Sequence, residues 1–340
     1  MSQLLNVKNV SKVFGAESLL KRDITLAVDD VSFSISDDRP SITAIAGESG
    51  SGKTTLSLLM MGQISPTAGQ VSYRGKNLAG MSREEKITLR REVQPIHQDP
   101  YAAYNPFYRV DHVLEMPIQH FKLAKSKTEA GLMIEEAMQL VGLRPTETLG
   151  RFPHQLSGGQ RQRLMVARAM LCRPKLIMAD EPVSMVDASL RATILSSLRK
   201  LNQDFGISIV YITHDLTTAY QISENIIIMY SGAIVEAGPV RKVIRAPKHP
   251  YTQLLISSIP QPSKYKLWGG GETEEAQTST RQSAGCRFAP RCPKVMDQCW
   301  TQKPPLYVPD EDRAVNCFVY QDSPKMATPD VSQLFQKVQL

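Results

Sequence analysis

A glycine-rich run near the N-terminus, residues 47–54, has the residue types that bind phosphate groups. It follows the pattern G-x-x-x-x-G-K-[ST] and lies between an apolar segment and a predicted helix, which disfavours a chance glycine-rich turn. Glycines let backbone N–H groups curl around phosphate oxygens, and a helix N-terminus adds positive potential. Lys53 would reach the β- and γ-phosphates, and the Thr54 hydroxyl could ligate Mg²⁺. The predicted nucleotide-binding residues of this P-loop are Gly47, Glu48, Ser49, Gly50, Ser51, Gly52, Lys53, Thr54 and Thr55.

A pair of carboxylates follows a second apolar segment farther along the chain. Asp180 and Glu181 stand directly after residues 176–179, which have the composition of a buried strand. After a P-loop, a carboxylate in the position of Asp180 ligates Mg²⁺. Glu181 could orient or deprotonate an attacking water. Standing alone this segment would be an ordinary acidic turn; together with the P-loop it predicts nucleoside triphosphate hydrolysis.

The segment 156–160 closely resembles the signature motif of the ABC ATPases. It reads Leu-Ser-Gly-Gly-Gln, and Ser157 with the backbone amides of Gly158 and Gly159 stands at a predicted helix N-terminus, where a phosphate can bind. Gln160 completes this predicted nucleotide-binding group. In ABC ATPases the bound phosphate belongs to ATP held by the opposite subunit. The resemblance therefore implies a head-to-tail dimer with two sandwiched ATP molecules.

Further residues match the ABC pattern, and their roles follow from that resemblance. Gln98 matches the glutamine that touches Mg²⁺ and the lytic water, Asp187 matches the D-loop aspartate, and His214 matches the switch histidine near the γ-phosphate. Phe14 matches the aromatic that stacks on adenine, although a core position is an equal alternative. The resemblance thus implies ATP and Mg²⁺ as cofactors, Glu181, His214 and Gln98 as catalytic residues, and Thr54, Gln98 and Asp180 as Mg²⁺ ligands.

Three segments resemble importer subunits for dipeptides, oligopeptides and nickel. These are residues 247–255, residues 285–293 and residues 98–106. The last of these segments resembles the second of the two motor subunits in such importers. The resemblance implies a motor subunit that hydrolyses ATP for uptake of peptides or a related small solute. Its partners would be a second, homologous ABC ATPase subunit in a heterodimer, two transmembrane permease subunits and an extracytoplasmic substrate-binding protein, with no nucleic acid.

Other functions remain open at this point. The same group includes importers of nickel and of oligosaccharides. An ABC ATPase acting on nucleic acid would show long coiled-coil insertions or two tandem cassettes, and an exporter motor is often fused to membrane spans. A non-hydrolysing regulatory subunit is disfavoured by the intact Glu181 and His214.

Four cysteines gather near the C-terminus: Cys286, Cys292, Cys299 and Cys317. In a reducing cytosol they indicate metal binding or plain burial rather than disulfides, and their spacing leaves zinc, an iron–sulfur cluster and free thiols open. The importer tails that this segment resembles hold a [4Fe–4S] cluster, so the resemblance implies a structural cluster on these four thiols. Cys172 is expected to be uninvolved.

The composition limits the class of protein. The chain has 340 residues, 42% of them hydrophobic, and a net charge of +7. Its basic residues are scattered, which favours a role in solubility over a nucleic-acid surface. It has no apolar run of membrane-spanning length and no signal peptide. With the resemblance, these features predict a peripheral protein on the cytoplasmic face of the bacterial inner membrane.

The elements that must position these residues follow from hydrophobic patterning. Continuous apolar runs at 175–179 and 208–213 predict strands buried in a parallel sheet. The pattern also predicts strands at 5–14, 26–36 and 41–46, helices at 54–62, 82–91, 128–141 and 157–171, and a hairpin at 226–237 that turns at 231–232.

The expected fold is α/β, a P-loop NTPase of the ABC cassette type. It combines a RecA-like core, an antiparallel β subdomain, an inserted helical subdomain and a small cysteine-containing C-terminal extension. The predicted division is a cassette at 1–260 with its helical subdomain at about 100–155, a linker at 261–282, the extension at 283–320 and a polar tail at 321–340.

Overall fold

The computed structural model describes residues 2–15, 24–99, 104–259 and 283–337. The predicted linker at 261–282 lies outside the described residues, as do residues 100–103 of the segment that resembles importer subunits. The predicted domain boundaries therefore stay predictions.

The strands and helices agree in type with those expected from the sequence. The strands are β1 (Gln3–Phe14), β2 (Thr25–Ser36), β3 (Ile42–Ala46), β4 (Ala68–Tyr73), β5 (Lys76–Asn77), β6 (Val93–Ile96), β7 (Leu176–Asp180), β8 (Ser208–Thr213), β9 (Asn225–Tyr230), β10 (Ala233–Pro239), β11 (Tyr307–Asp310) and β12 (Arg313–Val315). The helices are α1 (Lys53–Met60), α2 (Arg83–Glu92), α3 (Asp111–Phe121), α4 (Lys127–Leu140), α5 (Pro145–Thr148), α6 (Gly158–Leu171), α7 (Ala188–Phe205), α8 (Leu216–Ile222), α9 (Val240–Arg245), α10 (Pro250–Ser257) and α11 (Gln298–Thr301).

Local capping explains where α2 begins. The Ser82 hydroxyl accepts a hydrogen bond from the Glu85 backbone N–H at 3.2 Å, and the Glu85 carboxylate accepts one from the Ser82 N–H at 2.8 Å. This reciprocal arrangement satisfies two N–H groups that a helix N-terminus leaves without intrahelical partners. The helix predicted at 82–91 is confirmed.

An eight-stranded sheet forms the centre of the molecule, in the order β11-β12-β10-β9-β3-β8-β7-β6. Strands β9, β3, β8, β7 and β6 run parallel, and β10, β12 and β11 continue the sheet antiparallel. Every residue of β3 and β8 is buried, as continuous apolar runs predict for strands covered on both faces. The parallel strands all present their carboxyl ends at the same edge of the sheet.

A four-stranded antiparallel sheet, ordered β2-β1-β4-β5, packs over one face of the central sheet. Its buried side chains include Val7, Val28 and Phe33, which share a core with Ile45 of β3 and Leu56 of α1. The predicted antiparallel β subdomain is confirmed, and it covers the helix that begins at the P-loop.

The predicted helical insertion lies between β6 and α6. Leu114 of α3 and Met138 of α4 are fully buried and share a core with Leu164 of α6. Strand β6 therefore leads into the insertion, and the signature motif at residues 156–160 leads out of it. Within the described ranges, every helix is too short or too polar to cross a lipid bilayer.

The C-terminal segment adds to the cassette rather than standing apart from it. Strand β12 pairs with β10 through Glu236 opposite Val315, and the buried Arg313 guanidinium lies 3.6 Å from the Glu236 carboxylate. Residues Val331–Lys337 form a 3-10 helix whose Val331 is fully buried against the core shared by β2 and β10. The segment expected to be a polar tail thus places apolar side chains in the core.

Candidate active site

The parallel strands bring together motifs that are far apart in the sequence. Strand β3 ends at the P-loop and β7 ends at Asp180, while β8 ends at Thr213, directly before His214. Ala46 pairs with Thr213, and Asp180 pairs with Ile212, so these three strand ends are level. Polar residues that follow them must therefore meet at one edge of the sheet.

The P-loop is packed so closely that two of its glycines leave no room for a side chain. A Cβ on Gly52 would lie 2.2 Å from the Ala27 carbonyl oxygen, and Gly52 has φ +98°, which side chains disfavour. A Cβ on Gly47 would lie 2.2 Å from the Met229 carbonyl oxygen. The loop therefore rests its backbone on β2 and β9 and leads into the N-terminus of α1, as a phosphate-binding loop requires.

Lys53 lies buried within the loop. Its Nζ donates hydrogen bonds to the carbonyl oxygens of Gly47 and Glu48, each at 2.8 Å. Burial lowers the pKa of Lys53, while the carboxylates of Glu181 and Asp180 oppose that effect. A cation is thus held between the loop and the two acids, where the phosphates of a nucleotide are predicted to bind.

Asp180 and Thr54 provide oxygen ligands suited to Mg²⁺. The Thr54 hydroxyl donates a hydrogen bond to the Asp180 carboxylate. Burial raises the pKa of Asp180, and the neighbouring charge of Glu181 raises it further. Two carboxylates crowded in a buried site are stabilised by a divalent cation, and hard oxygen ligands are those that Mg²⁺ prefers. The residues present therefore fit the Mg²⁺ that the resemblance implies.

Of the three predicted catalytic residues, Glu181 contacts both of the others. Glu181 has φ +44°, and its backbone N–H donates to the Ile212 carbonyl oxygen at 2.8 Å, which fixes a sharp turn after β7. One carboxylate oxygen of Glu181 lies 2.7 Å from His214 Nδ1, and the other accepts a hydrogen bond from Gln98 Nε2 at 3.0 Å. A left-handed conformation at a non-glycine residue is costly and is typical of functional sites.

The signature motif lies against the start of α7, not against the P-loop of its own chain. Ser157 and Gln160 form a capping box that begins α6, with hydrogen bonds of 2.9 and 3.2 Å. A Cβ on Gly159 would lie 2.5 Å from Leu190 Cδ1, and Asp187 is the exposed N-cap residue of α7. In the described part of the chain, no hydrogen bond joins residues 157–160 to residues 47–55.

Phe14 lies at the end of β1 and is 43% exposed, with Lys12 Nζ 5.1 Å from the centre of its ring. Phe14 is therefore not a core residue. Stacking of this ring on adenine stays a prediction.

The sequence alone did not indicate two residues that contact the P-loop. The backbone N–H of Glu48 donates a hydrogen bond to the Tyr251 hydroxyl at 2.8 Å. The Glu48 carboxylate accepts two hydrogen bonds from Arg291, at 2.9 and 3.1 Å. Both residues fall in the segments 247–255 and 285–293 that resemble importer subunits, and this resemblance was the only signal available for them.

A buried histidine fixes Tyr251 in place. His249 is 1% exposed, and its Nδ1 accepts a hydrogen bond from the Tyr251 N–H at 3.0 Å at the start of α10. Burial lowers the pKa of His249 to about 3. The imidazole is therefore neutral in the folded protein at any physiological pH.

This pKa predicts how stability depends on pH. An unfolded histidine has a pKa of about 6.5, so the unfolded chain takes up a proton first as the pH falls. The stabilisation that the neutral, buried His249 contributes is complete at pH values above the unfolded pKa and is lost as the pH falls toward 3. From pH 7.5 to 5.5, His249 should lower the free energy of unfolding by about 1 kcal/mol. Urea unfolding of wild type and of His249→Asn measures the contribution of His249, because asparagine can still cap the helix but does not titrate. If the free energy of unfolding depended equally on pH in both proteins, the prediction would be contradicted.

The iron–sulfur prediction for Cys286, Cys292, Cys299 and Cys317 is wrong. All four lie within residues 283–337, and in the described part of the chain no three His, Cys, Asp or Glu side chains form a group that could hold a metal ion. Burial raises the pKa of Cys286 and Cys317 to about 11, so both are neutral thiols in the structure.

The extension has apolar contacts of its own. Cys299 and Phe318 pack together with Tyr307 in a small core. Phe288 is 1% exposed and belongs to the main core of the cassette. The cassette therefore supplies part of what the extension packs against. Cys172 is a free, buried thiol at the end of α6, away from the other four in sequence.

Two family models match the chain. One described as "ABC transporter" matches residues 28–184, and one described as "Oligopeptide/dipeptide transporter, C-terminal region" matches residues 235–299. The first covers the P-loop, the signature motif and Glu181. The second begins in β10 and extends to Cys299.

Curated relatives and solved structures agree with these matches. A probable peptide ABC transporter ATP-binding protein, y4tS of Sinorhizobium fredii, is 37% identical over 93% of this chain and 90% of its own length. The oligopeptide transport ATP-binding protein AppD of Bacillus subtilis is 37% identical over 95% of this chain and 98% of its own. A dimeric structure of the ATP-binding cassette MJ0796 in a post-hydrolysis state, bound to ADP and Pi, matches with TM-score 0.62 and 28% identity, covering 70% of this chain and 99% of that one.

Sequence, fold and site thus lead to one family. Glu181 contacts both Gln98 and His214, and the P-loop and the signature motif each lead into a helix N-terminus. The relatives align over nearly the whole chain, so the match includes the C-terminal extension. The chain belongs to the ABC transporter family and is one of its ATP-binding, ATP-hydrolysing subunits.

Proposed function

We propose that this chain is one of the two motor subunits of a bacterial importer that takes up peptides, and that it works on the cytoplasmic face of the inner membrane. The observation that carries the proposal is the meeting of Glu181 with Gln98 and His214 beside the P-loop. The choice of peptides is supported by the match to the oligopeptide/dipeptide C-terminal region and by the names of the relatives.

The chemistry that this site supports is in-line attack of water on the γ-phosphate of ATP. The P-loop N–H groups and Lys53 hold the phosphates, and Phe14 stacks on the adenine. Thr54, Asp180 and Gln98 would hold Mg²⁺, which would neutralise negative charge on the phosphates. Glu181 orients the attacking water and accepts its proton, and its hydrogen bond to His214 fixes the carboxylate in position.

Each complete site requires two subunits. Gly159 lies against Leu190 of α7, and Ser157 and Gln160 bond to each other in the cap of α6 rather than to their own P-loop. The residues of the signature motif, Ser157 to Gln160, can therefore face ATP bound by the opposite subunit. Asp187 lies beside them at the same surface. The dimeric form of the solved cassette supports this arrangement. We further propose that the opposite subunit is a homologous chain, so that the motor is a heterodimer.

The remaining partners follow from the type of importer. Two transmembrane permease subunits receive the motion of the motor, and an extracytoplasmic binding protein delivers the peptide.

The proposed units of this chain are the cassette at 1–260, a linker at 261–282, the extension at 283–320 and the tail at 321–340.

Co-expression with the predicted partners tests this function. The chain should copurify with two polytopic membrane proteins, and in liposomes the complex should hydrolyse ATP faster when the binding protein carries a peptide. Stimulation by nickel or by an oligosaccharide, but not by peptides, would replace the peptide assignment with another member of the same group. Binding to DNA without copurifying membrane proteins would contradict the importer.

A further inference from the structure

An ion pair joins the C-terminal extension to the P-loop across 243 positions of the chain. Arg291 Nη1 donates to Glu48 Oε2 at 2.9 Å, and Arg291 Nη2 donates to Glu48 Oε1 at 3.1 Å. Two parallel hydrogen bonds between a guanidinium and a carboxylate fix both groups in orientation as well as distance. Glu48 is the second residue of the P-loop, so this pair constrains the first turn of the loop.

The guanidinium of Arg291 is itself held by aromatic rings. It lies 5.8 Å from the centre of the Tyr230 ring and 5.9 Å from that of Phe288, distances at which a cation is attracted to the face of an aromatic ring. The rings of Tyr230 and Phe288 contact each other edge to face, with centroids 5.2 Å apart. Arg291 is therefore preorganised to meet Glu48.

Other contacts hold the same turn of the P-loop. The Glu48 backbone N–H donates to the hydroxyl of the fully buried Tyr251, and the Glu48 carbonyl oxygen accepts from Lys53 Nζ. The side chain, N–H and carbonyl of Glu48 thus each have a partner, and Arg291 is the one that belongs to the extension. Removing it would leave the side chain of Glu48 without its ion pair.

A second arginine of the extension supports the back of the loop. Arg287 donates hydrogen bonds to the Ser231 carbonyl oxygen and, at 2.7 Å, to the Asp29 carboxylate. In the same turn, the Gly232 N–H donates to the carbonyl oxygen of Ser51, a P-loop residue, at 2.9 Å. The extension therefore contacts the P-loop directly through one arginine and indirectly through another.

We propose that Arg291 is a positioning residue of the nucleotide site: by holding Glu48 in a bidentate ion pair, it keeps the first turn of the P-loop in the conformation that binds the phosphates of ATP. The inference rests on the proposed function, because it takes residues 47–54 as the ATP site. In this role the C-terminal extension helps to position the ATP site, although Arg291 itself contacts neither the nucleotide nor the water.

Equilibrium binding of ATP to the full chain tests this role. Arg291→Met should raise the Kd for ATP about fivefold, since one partly exposed bidentate pair is lost. Arg291→Lys, which keeps the charge but offers no fork of two donors, should have an intermediate effect. Lys294→Met, which removes one exposed positive charge three positions along the chain, is the matched control and should bind ATP as wild type does.

A double-mutant cycle separates positioning from a general role in folding. Glu48→Ala removes the same pair without changing the extension, and combined with Arg291→Met it should weaken binding no more than either change alone. In the assembled transporter, the KM for ATP should rise about fivefold while kcat at saturating ATP changes by less than about twofold.

Each alternative outcome counts against one specific statement. An unchanged Kd in Arg291→Met, or additive effects of the two substitutions, would overturn the positioning role while leaving the ATP site in place. Failure of the wild-type chain to bind ATP would instead contradict the proposed function, so the two failures are distinguishable.

Discussion

Replacing Glu181 with glutamine is expected to lower kcat for ATP hydrolysis by about two orders of magnitude or more, while ATP still binds. Glutamine has nearly the same size, so the turn after β7 and the contact with His214 can persist. It cannot accept the proton of the attacking water, and that loss falls on the chemical step. Steady-state phosphate release from the assembled transporter measures kcat, and equilibrium binding of ATP measures affinity, so the two effects are separated.

The matched control for this experiment is Glu84→Gln. Glu84 is an exposed glutamate in the first turn of α2, so its replacement removes the same charge from a surface that is not part of the site. This variant should hydrolyse ATP at the wild-type rate. Near-normal turnover in Glu181→Gln would remove Glu181 from the catalytic group.

Replacing Ser157 with arginine should abolish hydrolysis by the assembled transporter, with a loss of roughly a hundredfold or more, because a long cation would replace a phosphate-binding hydroxyl at the dimer contact. ATP binding to the isolated subunit should remain. Ser157 makes its side-chain hydrogen bond within its own helix cap, at 3.2 Å to the Gln160 N–H, and not with the P-loop. The separation of the two effects is the sign of a site shared between subunits.

Two further variants make this result specific. Lys53→Ala should weaken ATP binding to the isolated subunit by about tenfold or more, since a charge-assisted hydrogen bond to phosphate is lost within the same chain. Ser157→Ala removes the hydroxyl, and with it the helix cap and the phosphate contact, but adds no cation. It should cost about 1 kcal/mol of stability and reduce hydrolysis less than the arginine does. Loss of ATP binding in Ser157→Arg as well as Lys53→Ala would mean that the signature motif serves its own subunit.

The sequence predicted those parts of the site that depend on local pattern. Apolar runs at 175–179 and 208–213 predicted strands buried in a parallel sheet, and the structure pairs the two strands so that the residues after them meet at one sheet edge. The resemblance to ABC ATPases supplied the roles of Gln98 and His214, and the contacts of both with Glu181 agree with those roles.

The contact between Arg291 and Glu48 could not be predicted in the same way. It joins a loop after β3 to a segment that follows the undescribed residues 260–282, and no periodicity or spacing links positions so far apart. The iron–sulfur cluster was expected from the resemblance alone, and no spacing of the cysteines indicated how their segment packs. Phe288 of that segment packs against Tyr230 and Tyr251 of the cassette, a contact that joins positions far apart in the sequence.

The pairing of β12 with β10 has a consequence for how the protein is made. When β10 leaves the ribosome its outer side has no neighbour, because β12 is more than 70 residues away in the chain and has not yet been synthesised. An unpaired strand of this kind can pair with another nascent chain, which is a common origin of aggregation. Val331, which packs between β2 and β10, arrives later still. The native arrangement of the cassette is therefore complete only after Val331 has been synthesised.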